Sequence, residues 1–153
     1  MSGAVLLVGC GKMGGAMAHG WLDRGLTHLA IVEPNSDACA GLGDDPRVTL
    51  VGGFEDLPAD FHPRTIVLAV KPQVMPLVLP AYRRYTDQGA LVISIAAGKT
   101  LAFFQDLFPD AAIVRAMPNL PASIGRGITV CVGNGNVSAG QKILAGELRA
   151  ACG

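Results

Sequence analysis

Near the N-terminus, Gly9-Cys10-Gly11-Lys12-Met13-Gly14 spaces three glycines as G-x-G-x-x-G directly behind the apolar run Ala4–Val8. Glycine triplets arise often by chance, so the surroundings carry the weight. The run before them reads as a buried strand, and the residues from Lys12 to Arg24 read as a helix stopped by Gly25. In that setting Gly9 permits a tight turn and Gly11 leaves room for backbone to approach a pyrophosphate. Gly14 lets the helix pack closely on the strand. The unpaired N–H groups and positive dipole end of the helix attract phosphate. The chemistry indicated is capture of a dinucleotide through its phosphates.

Glu33 follows the apolar residues Ile31-Val32, 19 residues beyond Gly14. A carboxylate there accepts hydrogen bonds from both adenosine ribose hydroxyls and repels a 2′-phosphate. It favours NAD(H). NADP(H) stays open, because Asn35 and Ser36 offer room to rearrange, although no arginine immediately follows to clamp a 2′-phosphate.

Leu68-Ala69-Val70-Lys71-Pro72 places a lysine and a proline at the end of another expected strand, the edge where open α/β sheets bind ligands. The position suits the nicotinamide half of a cofactor, with Lys71 orienting it or an acidic substrate; a plain surface lysine is the alternative. Ser94-Ile-Ala-Ala-Gly98, with Ala97, supplies the small residues needed where backbone approaches a planar ring, a composition that a tight turn also demands. In Arg115-Ala-Met-Pro-Asn-Leu-Pro-Ala122 two prolines immobilise a loop that carries the amide of Asn119, as suits substrate positioning.

Other chemistries find little support. His19, His28 and His62 have neither metal-ligand spacing nor a nucleophile partner, and no paired carboxylates suggest hydrolysis. Cys10, Cys39, Cys131 and Cys152 are scattered and form no C-x-x-C. No catalytic side chain and no metal site is nominated. Twelve basic residues balance twelve acidic ones and charged residues make up only 16%, which argues against nucleic acid or an anionic membrane as partner. No apolar run approaches the roughly 18 residues of a membrane span. Leu7-Val8-Gly9-Cys10 superficially resembles a lipoprotein cleavage site but lacks a basic leader before it, so a reducing cytoplasm is the expected location.

The elements that must position these residues alternate along the chain. Strand-like runs occur at His28–Val32, Val48–Val51, Thr65–Val70, Ala90–Ile95, Ala112–Ala116 and Gly127–Val132. Helical candidates lie near Ser36–Leu42, Gln73–Tyr85 and Leu101–Leu107, with a last one at Val137–Ala151. Repeated βαβ units predict an α/β, Rossmann-like, doubly wound and mostly parallel sheet with helices on both faces. Pro76 and Pro80 make the segment after Lys71 an irregular helix at best. With 153 residues, half of them hydrophobic, the chain has material for one well-buried domain spanning 1–153.

Taken in order, Gly9–Gly14, Val70-Lys71-Pro72, Ser94–Gly98 and Arg115–Ala122 resemble the pyrroline-5-carboxylate reductase family, the last motif being the most specific. The resemblance covers that family's N-terminal NAD(P)-binding domain. It implies reduction of 1-pyrroline-5-carboxylate to L-proline with NAD(P)H in proline biosynthesis, the cofactor carrying most of the chemistry. Gly9, Cys10, Gly11, Lys12, Met13 and Gly14 would hold the pyrophosphate. Ala69, Val70, Lys71 and Pro72 would line the cofactor cleft, and Asn119 would stand near nicotinamide and substrate.

Family members continue into a helical C-terminal domain that forms an intertwined homodimer and supplies much of the substrate pocket. The expectation for these 153 residues is therefore cofactor binding with little or no turnover. Two other readings stay open. One is a dehydrogenase domain of the β-hydroxyacid or deazaflavin-dependent type, which shares G-x-G-x-M-G. The other is a non-catalytic dinucleotide-binding or redox-sensing module. Separately, oxidation of Cys10 is expected to weaken cofactor binding if its side chain faces the cofactor.

Overall fold

The computed structural model describes residues 3–39, 41–96, 98–118 and 128–150. The strands are β1 (Val5–Val8), β2 (Leu29–Val32), β3 (Val48–Val51), β4 (Thr65–Leu68), β5 (Leu91–Ser94), β6 (Ile113–Pro118) and β7 (Ile128–Gly133). The helices are α1 (Gly11–Asp23), α2 (Met75–Val78), α3 (Arg83–Thr86), α4 (Leu101–Leu107) and α5 (Ala139–Ala150). The strands form one sheet in the order β3-β2-β1-β4-β5-β6-β7. The first six strands run parallel and β7 returns antiparallel to β6. The doubly wound α/β arrangement expected from the sequence is the one observed.

Every residue of β1, β2, β4 and β5 is buried, as the continuous apolar runs require of strands covered on both faces. Successive side chains alternate between two cores. Val5, Leu7, Ile31, Val67 and Ile93 pack on one face with Met17 and Trp21 of α1 and Leu144 and Leu148 of α5. Leu6, Val8, Val32, Ile66 and Val92 pack on the other with Met75, Leu79, Tyr82, Tyr85, Phe104 and Phe108. Trp21 Nε1 donates to the Leu148 carbonyl at 3.0 Å, which joins the first and last helices across their shared core.

Local chemistry refines the helical expectations. The segment after Lys71, expected as an irregular helix over Gln73–Tyr85, is four short pieces: a 3₁₀ turn at Pro72–Val74, α2, a 3₁₀ turn at Leu79–Tyr82, and α3. Pro72, Pro76 and Pro80 each sit in the first turn of a new piece, where a missing N–H costs nothing, and Pro76 and Pro80 break the ladder of the piece before. Ser36–Leu42 shortens to a 3₁₀ turn at Ser36–Cys39. The last helix starts after Ser138, whose Oγ accepts from Gln141 N while Gln141 Oε1 accepts from Ser138 N, a reciprocal cap that fixes the boundary. The first helix ends as expected, with Gly25 at φ +97°.

The strand order reverses between β1 and β4, so the loops leaving their C-terminal ends diverge over the sheet edge. Crevices at such switch points are where open α/β sheets take ligands.

Candidate functional site

Gly9 leaves β1 at φ +84°, and its N–H donates to the Val32 carbonyl at 2.8 Å. A Cβ on Gly9 would lie 2.9 Å from Ala69 C, Val70 N and Val70 Cγ1. The glycine is therefore demanded by the backbone leaving β4 as well as by its own turn. Gly14 sits beneath the turn, with a Cβ position 3.3 Å from the Gly9 carbonyl oxygen and 3.5 Å from Leu7 Cδ2, so the helix lies close on the strand.

Gly11 adopts φ +63° and faces open space, with nothing within 4 Å of its Cβ position. The first intrahelical bond of this stretch runs from Gly14 N to Cys10 O at 3.0 Å, which leaves the N–H groups of Gly11, Lys12 and Met13 without helical partners. No acidic residue occupies the first turn of α1. A thirteen-residue helix beginning with unpartnered N–H groups beside an open glycine cradle fits a phosphate.

These features open on a cleft of about 630 Å³ lined by Gly9, Cys10, Gly11, Glu33, Ala69, Val70 and Lys71, all nominated from sequence. Lys12, Met13 and Gly14, in the first turn of α1, and Pro72, which opens the 3₁₀ turn after Lys71, are not among its lining residues. Ala97 and Asn119 fall outside the described residues. Ser94, fully buried, turns the end of β5 by accepting the Ala96 N–H on its Oγ at 3.2 Å.

Lys71 lines the same cleft as Glu33 and Glu55, so the loop leaving β4 shares one cavity with the loops leaving β2 and β3.

Two groups of lining residues escaped the sequence reading. Gly52, Gly53, Phe54 and Glu55 follow β3, and Val74, Leu77, Val78, Ala81 and Tyr82 come from the proline-broken segment. The Gly52-Gly53 pair directly behind a strand was the available signal for the first group. The second forms an apolar wall whose Leu77 is 83% exposed. Such a wall suits a planar base rather than a phosphate.

The Cys10 side chain turns inward. It is only 4% exposed and belongs to the core cluster that also holds Cys39. Burial first, then a hydrogen bond to the Cys39 thiol and the nearby Cys39 and Glu33 charges, push the Cys10 thiol up to about 12. A thiol that ionises near 9.0 when unfolded and near 12 when folded contributes stability that is complete below 9 and lost as pH rises between those values. Accordingly, the alkaline fall in denaturation midpoint is expected to be shallower in Cys10→Ala than in the wild type. Identical slopes would remove Cys10 from the effect. Native alkylation of Cys10 at neutral pH is expected to be negligible.

Gly11→Ala separates the cradle from the fold. The added methyl meets no protein atom, so stability should fall only by the left-handed backbone cost of roughly 1–2 kcal/mol. Dinucleotide affinity should nevertheless drop at least about tenfold, since the methyl occupies the approach to the helix N-terminus. Unchanged affinity by titration would place the phosphates elsewhere.

Among the described residues no three His, Cys, Asp or Glu side chains come together to hold a metal ion. No helix is long and apolar enough to cross a membrane among the described residues.

A parallel sheet with this glycine turn, helix N-terminus and strand-end acid at its switch point defines a dinucleotide-binding domain. The chain belongs to the family described as NADP oxidoreductase, coenzyme F420-dependent, which its residues 4–98 match. The resemblance read from the motifs recurs in individual relatives. Pyrroline-5-carboxylate reductase of Escherichia coli is 34% identical over 137 residues, covering 86% of this chain and 49% of the relative.

The pyrroline-5-carboxylate reductase structure from Coxiella burnetii superposes with a TM-score of 0.89 at 25% identity, covering 100% of this chain and 57% of that one. The Plasmodium falciparum pyrroline carboxylate reductase structure with NADP bound gives 0.80 at 26% identity, covering 99% and 56%. The chain thus spans about half the length of the relatives that it matches from end to end.

Proposed function

We propose that this chain is the cofactor-holding half of a pyrroline-5-carboxylate reductase, presenting NAD(P)H for reduction of 1-pyrroline-5-carboxylate to L-proline. The observation that carries the reading is the single cleft uniting Gly9, Gly11, Glu33 and Ala69–Lys71 at the switch point of the sheet. The ordered likeness to reductases of that name supports the substrate. When bound, the nicotinamide supplies the hydride, which together with a proton converts the ring C=N to a saturated amine.

The protein's part is to bind and orient. Gly11, Lys12 and Met13 N–H groups meet the pyrophosphate, Glu33 accepts from the adenosine ribose, and the Val74–Leu77–Val78 wall covers the base. Asn119 stands near the reacting ring. NADH is the preferred cofactor, because Glu33 and Glu55 on the same cleft set two carboxylates where a 2′-phosphate would lie. The counterpart of the relatives' unmatched half completes the substrate pocket and pairs two subunits. The setting is the cytoplasm.

Calorimetric titration of the purified 153-residue chain with NADH and NADPH, followed by 1-pyrroline-5-carboxylate and an assay for proline, tests the reading. NADH binding tighter than NADPH with little proline formed is expected. Absence of binding to both nucleotides would refute it, and brisk proline formation would show that residues 1–153 build the whole site.

A further inference from the structure

Glu33 leaves β2 with both carboxylate oxygens already engaged. Its Oε1 accepts the Cys10 N–H at 2.9 Å and its Oε2 accepts the Asn35 N–H at 3.1 Å. The first bond crosses from the end of β2 to the phosphate turn; the second ties down the turn that follows β2. Its own N–H donates to Val51 O at 2.9 Å, which fixes the residue to β3 as well. The side chain therefore ties the turn after β2 to the turn after β1 while the main chain holds β3, and the Cys10 N–H it accepts lies within the glycine motif.

We infer that Glu33 is a positioning residue for the phosphate turn, a role separate from its contact with ribose. The inference rests on the reading of the cleft as a dinucleotide site. A carboxylate offers about four acceptor positions, two on each oxygen. Two are taken by main-chain N–H groups, which leaves one on each oxygen for the two vicinal hydroxyls of a ribose. The clamp and the ribose contact are thus simultaneous rather than competing, and the turn is held in its binding conformation before any ligand arrives. Preorganisation of this kind raises affinity by removing the cost of ordering the loop on binding.

The two roles come apart in Glu33→Asp and Glu33→Gln. Aspartate keeps the negative charge at the strand end but is one methylene short of the Cys10 N–H. Glutamine keeps the length but replaces one oxygen by an NH₂ group, which sets a donor against one of the two N–H groups. In ligand-free protein, amide hydrogen exchange is expected to be at least about tenfold faster at Cys10 in Glu33→Asp, and at whichever of Cys10 and Asn35 faces the NH₂ in Glu33→Gln, with Leu7 in the middle of β1 unchanged. Exchange at Cys10 equal to wild type in Glu33→Asp would overturn the inference. Equal acceleration at Leu7 would overturn it too, by assigning Glu33 to the stability of the whole sheet.

With ligand, Glu33→Asp is expected to lose about tenfold or more in NADH affinity while keeping the wild-type preference for NADH over NADPH. Full NADH affinity in Glu33→Asp would overturn the clamp. Failure of wild-type protein to bind either nucleotide would strike the proposed function instead, and the ligand-free exchange would still decide the clamp.

Discussion

Gly9→Ala is expected to abolish measurable dinucleotide binding and to lower stability by about 2–5 kcal/mol. Two costs combine. The residue sits at φ +84°, where a Cβ costs roughly 1–2 kcal/mol. The added methyl would also lie 2.9 Å from main-chain atoms of Ala69 and Val70, and overpacking of that kind costs about 1–3 kcal/mol. A flexible side chain could step aside, but the backbone leaving β4 cannot. Ala69 N is held by Val8 O at 2.8 Å, in line with the β1–β4 ladder.

Relief must therefore come from the glycine turn, and its displacement misdirects the N–H groups at the start of α1 that the proposed function assigns to phosphate. Chemical denaturation with parallel NADH titration checks both effects. A variant that unfolds at the wild-type midpoint and binds NADH normally would show that the contact is absent in solution. The contrast with Gly11→Ala is informative, because that substitution shares the backbone cost and lacks the clash.

Trp21→Ala should be the most destabilising single truncation, by roughly 3–5 kcal/mol, because the indole is completely buried. For a chain of this size that corresponds to a fall in melting temperature of roughly 6–20 °C. The indole lies where α1 meets α5 and also donates to the Leu148 carbonyl, so truncation leaves a cavity and removes a hydrogen bond between the two helices. Trp21→Phe retains most of the volume and loses the donor, so it should fall between wild type and alanine.

Thermal unfolding followed by far-ultraviolet circular dichroism suits the comparison, since Trp21 is the sole tryptophan and its loss removes the fluorescence signal. A midpoint for Trp21→Ala within a degree or two of wild type would mean that α5 does not seal this core. Binding of NADH to folded protein should persist in Trp21→Phe, because the residue does not line the cleft.

How far the sequence spoke depended on whether a property was local. The glycine turn was legible because positive φ and close packing admit few residues, and because the apolar run before it could only be a strand. Glu33 followed from its distance along the same βαβ unit. The broken segment after Lys71 was anticipated as irregular from its prolines. Its use as a cleft wall was not, since exposed Val74, Leu77 and Val78 look like nothing but poor helix in one dimension.

Gly52 to Glu55 join the site only because β3 lies beside β2, a pairing that no short motif encodes. The inward turn of Cys10 depends on which way a single loop residue points, and that was settled by contact with Cys39 on a different element. A thiol that faces the core is not placed to meet a cofactor, so oxidation of Cys10 has no direct route to weaken binding.

The prolines of the cleft wall affect more than helix geometry. Pro72, Pro76 and Pro80 restrict the unfolded chain as well as the folded one, so the segment has fewer conformations to surrender when it folds. A wall stiffened in this way presents Leu77 to solvent without needing a ligand to hold its backbone in place. Its exposed apolar surface is then a standing affinity reserve, and a base that settles on it gains from desolvation while ordering little of the protein.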